Sequence, residues 1–373
     1  MNQTESLLIA LIRESLGGAP VESVQNTDSE RLCKLANAHA VAPMAVPAAL
    51  RVFEKGSPEA RFFAAQKLRA IRADEIFRHE ISVLEGKISC VRMKGAFLKD
   101  LYPQSYMRTM GDADLLIDEM SAPDAQNIME ELGYVYKNPG DTRVMAFHKP
   151  PILNIELHAR MFESTGVLAR LGTGHQWVKD GALTAEGHYI FLVCHLARHF
   201  ASAGAGIRAV ADIFVFTKAY GGGLDRAYIA KTLGTVGLAD FAENLEKLSL
   251  YWFGGGECDD VTEKLSDFIL SSAVYGDHDK LRLNERKPDG FLKNIVRLTF
   301  LPLEKMAMLY PVLHKAKVLL PFCWVHRIFL VLLKKRQRIA EYKDSFDRTT
   351  RTESEAYRAL TRDFGIENID SIR

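Results

Sequence analysis

The sequence predicts an α+β chain, mostly helical, with one small mixed β-sheet flanked by helical N- and C-terminal units. Three observations carry that expectation. Apolar residues recur at helical spacing up to about Gly86 and again beyond Thr173. Between Ile88 and His158 the pattern changes to short runs of strand length. Strands and helices there are short and intermixed, which fits a mixed sheet with helices on one face better than a doubly wound parallel sheet. The length of 373 residues allows about two or three structural units. The boundaries expected are a helical unit over residues 1–87, an α/β core over 88–165, a second helical unit over 166–290, and an apolar, basic helical segment with a polar tail over 291–373.

The elements follow in order. Leu7, Leu8, Leu11 and Ile12 mark a first helix, with Thr4 as its expected cap and Gly17-Gly18 after it. Ser57-Pro58-Glu59 opens a long helix, because serine followed by proline suits a helix start. Its apolar stripe includes Phe63, Phe77, Ile81 and Leu84, and its expected role is packing. Ile88–Met93 reads as a strand, Ala96–Leu101 as a short helix and Asp112–Asp118 as a second strand. Ser121–Leu132 reads as a helix stopped by Gly133, and three further strands are expected at 134–136, 143–148 and 152–158. Then come helices at 185–200, 207–219, 225–233, 238–253 and 258–273, with Gly-rich breaks at 221–223 and 254–256. Residues 275–290 read as a polar loop.

Composition sets the outer bounds. Hydrophobic residues at 47% and charged residues at 25% exclude a disordered or collagen-like chain. With 48 basic against 47 acidic residues the net charge is +1, so nothing global points to a nucleic-acid partner. The five cysteines are scattered without metal or redox spacing, and the start lacks a signal-like stretch. The setting expected is cytoplasmic, with a peripheral membrane contact as an alternative.

The chemistry concentrates in Gly111-Asp112-Ala113-Asp114-Leu115-Leu116-Ile117-Asp118. Strand alternation puts Asp112, Asp114, Leu116 and Asp118 on one face and Ala113, Leu115 and Ile117 on the other, toward a core. Two carboxylates two residues apart repel unless a cation lies between them, and hard oxygen ligands suit Mg²⁺. In Ile152–His158 the same alternation puts Glu156 and His158 opposite the apolar Leu153, Ile155 and Leu157. If the two strands are neighbours, Asp112, Asp114 and Glu156 form the acid trio of a two-metal phosphoryl or nucleotidyl transfer site. Lys94-Gly95 at a strand-to-helix junction suits phosphate oxygens, and Arg108 adds a guanidinium fork. His188, His195 and His199 share a helix face, but His195-Leu-Ala-Arg-His199 lacks the glutamate of a zinc hydrolase motif. Arg208 and Asp212, four apart, suit an ion pair. Together His195, His199, Arg208 and Asp212 are expected to line an acceptor cleft.

These residues carry a resemblance. Lys94-Gly95, Leu101-Tyr102-Pro103, Arg108, Gly111-Asp112-x-Asp114-Leu115-Leu116 and Ile155-Glu156-Leu157-His158 resemble the bacterial "uncharacterised nucleotidyltransferase" group of the DNA polymerase β superfamily. The strong block covers Val91 to His158. A weaker similarity runs through His195, His199, Arg208 and Asp212 to about Gly256, and again at Leu320-Pro321, Trp324 and Arg327. The resemblance implies a nucleotidyltransferase core that moves NMP from an NTP to an acceptor with Mg²⁺ (or Mn²⁺). Asp112, Asp114 and Glu156 would serve as catalytic and metal residues, with Lys94, Gly95, Arg108, Gly111 and His158 around the nucleotide. It leaves open the acceptor: a sugar, another small molecule, a peptide or protein, or an RNA end. Where the superfamily usually has a Gly-Ser pair, this chain has Lys94-Gly95.

The segment from Lys315 to Lys343 stands apart. It holds eight basic residues against Glu341 alone, a local charge of +7 in a chain of +1. Its apolar run, Val318–Leu333, is too short and too interrupted for a transmembrane span. Burial against the domain is the expectation, and contact with a membrane surface or an anionic polymer is the alternative.

Overall fold

Asn2, not Thr4, starts the first helix, α1 (Gln3–Ser15): its side chain accepts from the Glu5 amide while the Glu5 carboxylate accepts from the Asn2 amide. This reciprocal pair satisfies two N–H groups that the helix cannot, and Thr4 turns inward instead. The computed structural model describes residues 1–24, 28–138, 143–202, 204–271, 300, 301, 303, 306, 310, 312–334, 351–367 and 369–372. The loop expected at 275–290 therefore lies outside the described residues.

Asp28 caps α2 (Ser29–Ala38), and Pro43 sits in the first turn of α3 (Ala42–Val52). Ser57 caps α4 (Pro58–Glu85), a 28-residue helix that matches the sequence expectation. At 1.5 Å per residue it runs about 42 Å. That length lets one helix serve two cores, with Phe63 in the larger and Phe77, Ile81 and Leu84 in the smaller.

The smaller core lies under a five-stranded mixed sheet. Its strands are β1 (Cys90–Arg92), β2 (Ala113–Ile117), β3 (Val135–Tyr136), β4 (Val144–Lys149) and β5 (Leu153–His158), in the order β1-β2-β5-β4-β3. Between them lie the short helix α5 (Lys94–Leu98) and α6 (Ala122–Glu131). Only β2 and β5 pair in parallel, and the register sets Asp114 beside Glu156 and Leu116 beside His158. The lower face buries Ala113, Leu115, Ile117, Leu153, Ile155 and Leu157 against α4 and α6. The upper face carries Asp114, Leu116, Glu156 and His158. It is not left to solvent: Leu116 belongs to the larger core, so the sheet has neighbours on both faces. Asp118 leaves the strand to cap the next turn, where it accepts from the Met120 amide at 2.8 Å.

Above the sheet come α7 (Ala185–Ser202), α8 (Ile207–Tyr220), α9 (Arg226–Gly234), α10 (Ala239–Ser249) and α11 (Asp260–Leu270). All five fall where the apolar spacing puts helices. A two-stranded ribbon, Val178–Lys179 with Ala182–Leu183, precedes α7 and has no counterpart in the sequence reading. The larger core joins Phe200, Phe216, Phe241 and Trp252 to Leu8, Ile12 and Met44, so α1 and α3 share their core with the helices from α7 onward. Trp177 and Cys194 are buried there.

The last segment corrects the sequence reading. The helix Arg351–Asp363 and the stretch after it form no polar tail, because Tyr357, Phe364, Ile366, Ile369 and Ile372 all enter the larger core. Tyr357 Oη donates to the Phe200 carbonyl at 2.9 Å. Gly365, at φ +90°, makes the turn that brings these isoleucines in. Over Val318–Ile328, the part of this run whose side chains are described, burial holds on one side only. Cys323 packs with Met306 and Leu313 in a small separate cluster, and Trp324 Nε1 donates to the Leu301 carbonyl at 2.9 Å.

Candidate active site

The floor of the site is the upper face of β2 and β5. Alternation turns Asp114 and His158 up from the sheet, and both are buried. His158 Nε2 donates to Asp114 Oδ1 at 2.9 Å and lies 3.4 Å from Glu156 Oε2. One ligand atom from each of Asp114, Glu156 and His158 falls within 4.8 Å of the others, so the three converge on one point. Asp112, two residues before Asp114, stands at the exposed mouth of the same cleft.

Lys94 Nζ approaches Asp114 Oδ1 at 2.7 Å from the start of α5. Lys94 holds φ +40°, a left-handed conformation that costs a non-glycine residue about 1–3 kcal/mol. The preceding ladder fixes it, since the Met93 amide donates to the Asp114 carbonyl at 3.0 Å. Burial alone would raise the Asp114 pKa, but Lys94 and His158 together hold it well below the usual carboxylate range. Asp112 behaves oppositely: desolvation first, then the negative charges of Asp114 and Glu156, push its carboxyl up. Burial works against a charged His158 ring, yet its hydrogen bonds to Asp114 and Glu156 raise its pKa overall.

Arg108 is held by a protein carboxylate at the back of the cleft. Its Nε and Nη2 each donate to Asp212 at 2.8 Å, and Tyr102 Oη donates to the same carboxylate at 2.7 Å. All three residues are buried. The Arg208–Asp212 pair suggested by their spacing is therefore replaced: Arg108 takes Asp212, and Arg208 Nη1 donates to the Thr109 carbonyl at 3.3 Å. Gly111 is exposed, with its carbonyl accepting from Asn154 Nδ2 at 2.9 Å. That bond ties the start of β2 to β5, a role for Asn154 that its sequence position does not announce.

Helices α7 and α8 roof the floor, and the space between divides into two lobes. One, of about 320 Å³, is lined by Gly95, Arg108, Asp112, Asp114, Arg208 and Asp212, among others. The other, of about 330 Å³, is lined by Asn138, Arg143, His158, Met161, Phe191 and Arg198, among others. Lys94, Glu156, His195 and His199 line both. His195 and His199, one turn apart on α7, meet with Nε2 atoms 2.8 Å from each other, so one ring donates and the other accepts. Burial lowers both, His199 to about 4 and His195 well below its ordinary value, which keeps the pair neutral near pH 7. His188 does not join them. It stacks on Phe97 with ring centroids 3.8 Å apart, inside the packing.

Acids on neighbouring parallel strands, under helices and beside a strand-to-helix junction, are the arrangement that the resemblance to nucleotidyltransferases leads one to expect. The chain belongs to the uncharacterised nucleotidyltransferase family, whose family model, described as "Uncharacterised nucleotidyltransferase", matches residues 25–254. That span runs from α2 through the end of the π-helical turn after α10, and contains every residue of the cleft described above. Neither the curated proteins nor the solved structures gave a match. Among the described residues no helix is long and apolar enough to cross a membrane.

Proposed function

We propose that the chain transfers an NMP group from an NTP to an acceptor hydroxyl or phosphate, releasing pyrophosphate, at a divalent-metal site of Asp112, Asp114 and Glu156. The observation that carries this reading is the register of β2 on β5, which sets Asp114 beside Glu156 on the floor of a two-lobed cleft. The donor set fits a metal at its deep end, where Asp114 and Glu156 oxygens converge with a His158 nitrogen, while Asp112 stands at the mouth and the Lys94 ammonium already lies against Asp114. Such oxygens suit Mg²⁺ or Mn²⁺. Bound there, the ion would neutralise triphosphate charge and favour in-line displacement.

The chain's own residues do the rest. Gly95 shapes the wall of the first lobe, since a Cβ there would sit 3.0 Å from the Met110 side chain and 3.1 Å from Arg108 Nη1. With Lys94, Asp112 and Arg208 lining the same lobe, this is where the triphosphate binds. Arg108, locked by Asp212 and Tyr102, is the rigid back wall and lends its field. The second lobe takes the acceptor. Glu156 borders both lobes and accepts the acceptor's proton as its oxygen bonds to the α-phosphorus and the bond to pyrophosphate breaks. His158 positions Glu156 and Asp114 through Nε2. The His195–His199 pair lines the boundary between donor and acceptor as a neutral, hydrogen-bonded unit.

A second reading is favoured by one contact. Lys94 occupies the place of the usual Gly-Ser pair and lies on Asp114, which suits a protein that binds nucleotide or a partner without turnover. Transfer of label from each α-³²P-NTP to sugar, small-molecule, peptide and RNA acceptors decides between them. The transfer reading predicts Mg²⁺-dependent labelling that Asp112→Asn and Glu156→Gln abolish. Unchanged labelling in both variants would sink the site assignment, and Mg²⁺-dependent NTP binding without pyrophosphate release would establish the second reading.

A further inference from the structure

We propose that the helix Leu320–Lys334, with the turn before it, docks this protein on an anionic lipid surface. The structure leaves an apolar stripe on this segment facing solvent: Val318 is 81% exposed, Phe322 71% and Val325 67%. On the helix, Phe322 and Val325 lie about 60° apart at 100° per residue, with the exposed Pro321 bordering Val325, and Val318 precedes them in the turn Lys317–Leu319. The opposite side is already used, with Cys323 in the small Met306–Leu313 cluster. A soluble surface scatters single apolar side chains, but it does not normally align them along one helix face.

Charge decides what the stripe meets. Lys317 is exposed beside Val318, and in sequence the basic run Lys334-Lys-Arg-Gln-Arg338 follows the apolar residues. The +7 of residues 315–343 leaves −6 for the rest of the chain. An anionic surface therefore attracts this one segment and repels the remainder, which orients the protein as well as holding it. A second copy of the chain is disfavoured because it would bring +7 against +7. Apolar side chains on one face with basic residues around them are the composition of a helix that lies in the headgroup region without crossing it. Each lysine or arginine near such a surface strengthens binding about fivefold at moderate salt. Docking there would deliver a cleft to acceptors carried at a membrane, but the inference stands on this segment and does not depend on the transfer chemistry.

The test is sedimentation of the full chain with vesicles of phosphatidylcholine alone and of phosphatidylcholine with phosphatidylglycerol, at low and high salt. Expected is binding to the anionic vesicles that weakens as salt rises, and none to the neutral ones. Phe322→Ser with Val325→Ser should weaken it at least roughly tenfold, and circular dichroism should show an unchanged fold because both positions are exposed. Replacing Lys334, Lys335, Arg336 and Arg338 with Gln should weaken it further. Absence of binding to anionic vesicles, or binding that both variants retain, overturns the proposal. Concentration-dependent dimerisation that Phe322→Ser with Val325→Ser abolishes, in the absence of vesicle binding, reassigns the stripe to a second copy.

Discussion

Replacing Asp212 by Ala removes the one carboxylate that accepts from both Arg108 and Tyr102. The guanidinium then stays buried at the back of the cleft with no acid against it, and the Tyr102 hydroxyl loses its acceptor. Breaking a buried pair from one side costs about 3–5 kcal/mol, because the remaining charge keeps its desolvation penalty without its partner. With a urea m-value near 3 kcal/mol/M, this lowers the midpoint by roughly 1–2 M. The double variant Arg108→Met with Asp212→Leu removes both charges and should recover most of the loss, since apolar replacement of a buried pair is often neutral. Urea unfolding followed by tryptophan fluorescence reads all three proteins, as Trp252 lies in the larger core. A loss under 1 kcal/mol for Asp212→Ala would refute the argument, as would a double variant that costs as much as Asp212→Ala.

The remaining predictions concern charge and backbone. Asp112→Asn should change stability by no more than about 0.5 kcal/mol, as an exposed carboxylate whose charged form the fold disfavours, whereas Asp114→Asn should cost about 2–4 kcal/mol by leaving Lys94 and His158 without their acid; equal costs in urea unfolding would contradict the geometry. Burial lowers His188 from 6.5 to about 4, so between those values the unfolded chain binds a proton that the native one refuses. Stability therefore falls as pH drops through that window, and His188 contributes about 2 kcal/mol of the loss between pH 7 and pH 5. His188→Leu should flatten urea midpoints over that range by this amount, and an unchanged slope would contradict it. Gly365→Ala places a Cβ 2.3 Å from the Phe241 backbone nitrogen at φ +90°. It should cost about 2–4 kcal/mol, and a wild-type midpoint would argue against docking of the C-terminal isoleucines.

Much of this was legible because it is periodic. The alternation in Asp112–Asp118 and Ile152–His158 gave both faces of two strands, and the same arithmetic put His158 on the Glu156 face before any pairing was known. The helices from α4 to α11 showed through their apolar spacing. What stayed hidden was long-range. Nothing local in Arg108 or Tyr102 announces Asp212, some hundred residues on, and the i, i+4 spacing of Arg208 pointed to a nearer partner that the fold does not use. Lys94 gave no sign that it adopts a left-handed backbone to lie on Asp114. The docked C-terminus was missed because Arg351–Asp363 is strongly charged, and its inward Tyr357, Leu360 and Thr361 carry too weak a pattern to outweigh that.

The proposed site requires a nucleotide and a divalent ion to meet at Asp112, Asp114 and Glu156. Calorimetric titration of ATP, GTP, CTP and UTP, each with and without Mg²⁺, on the wild type, Asp112→Asn and Glu156→Gln tests it most directly. Expected is binding of at least one NTP that requires Mg²⁺ and weakens at least roughly tenfold in Asp112→Asn, on the scale of one lost charge-assisted contact. No binding by the folded wild type to any of the four, or binding indifferent to Mg²⁺ and to both substitutions, would contradict it.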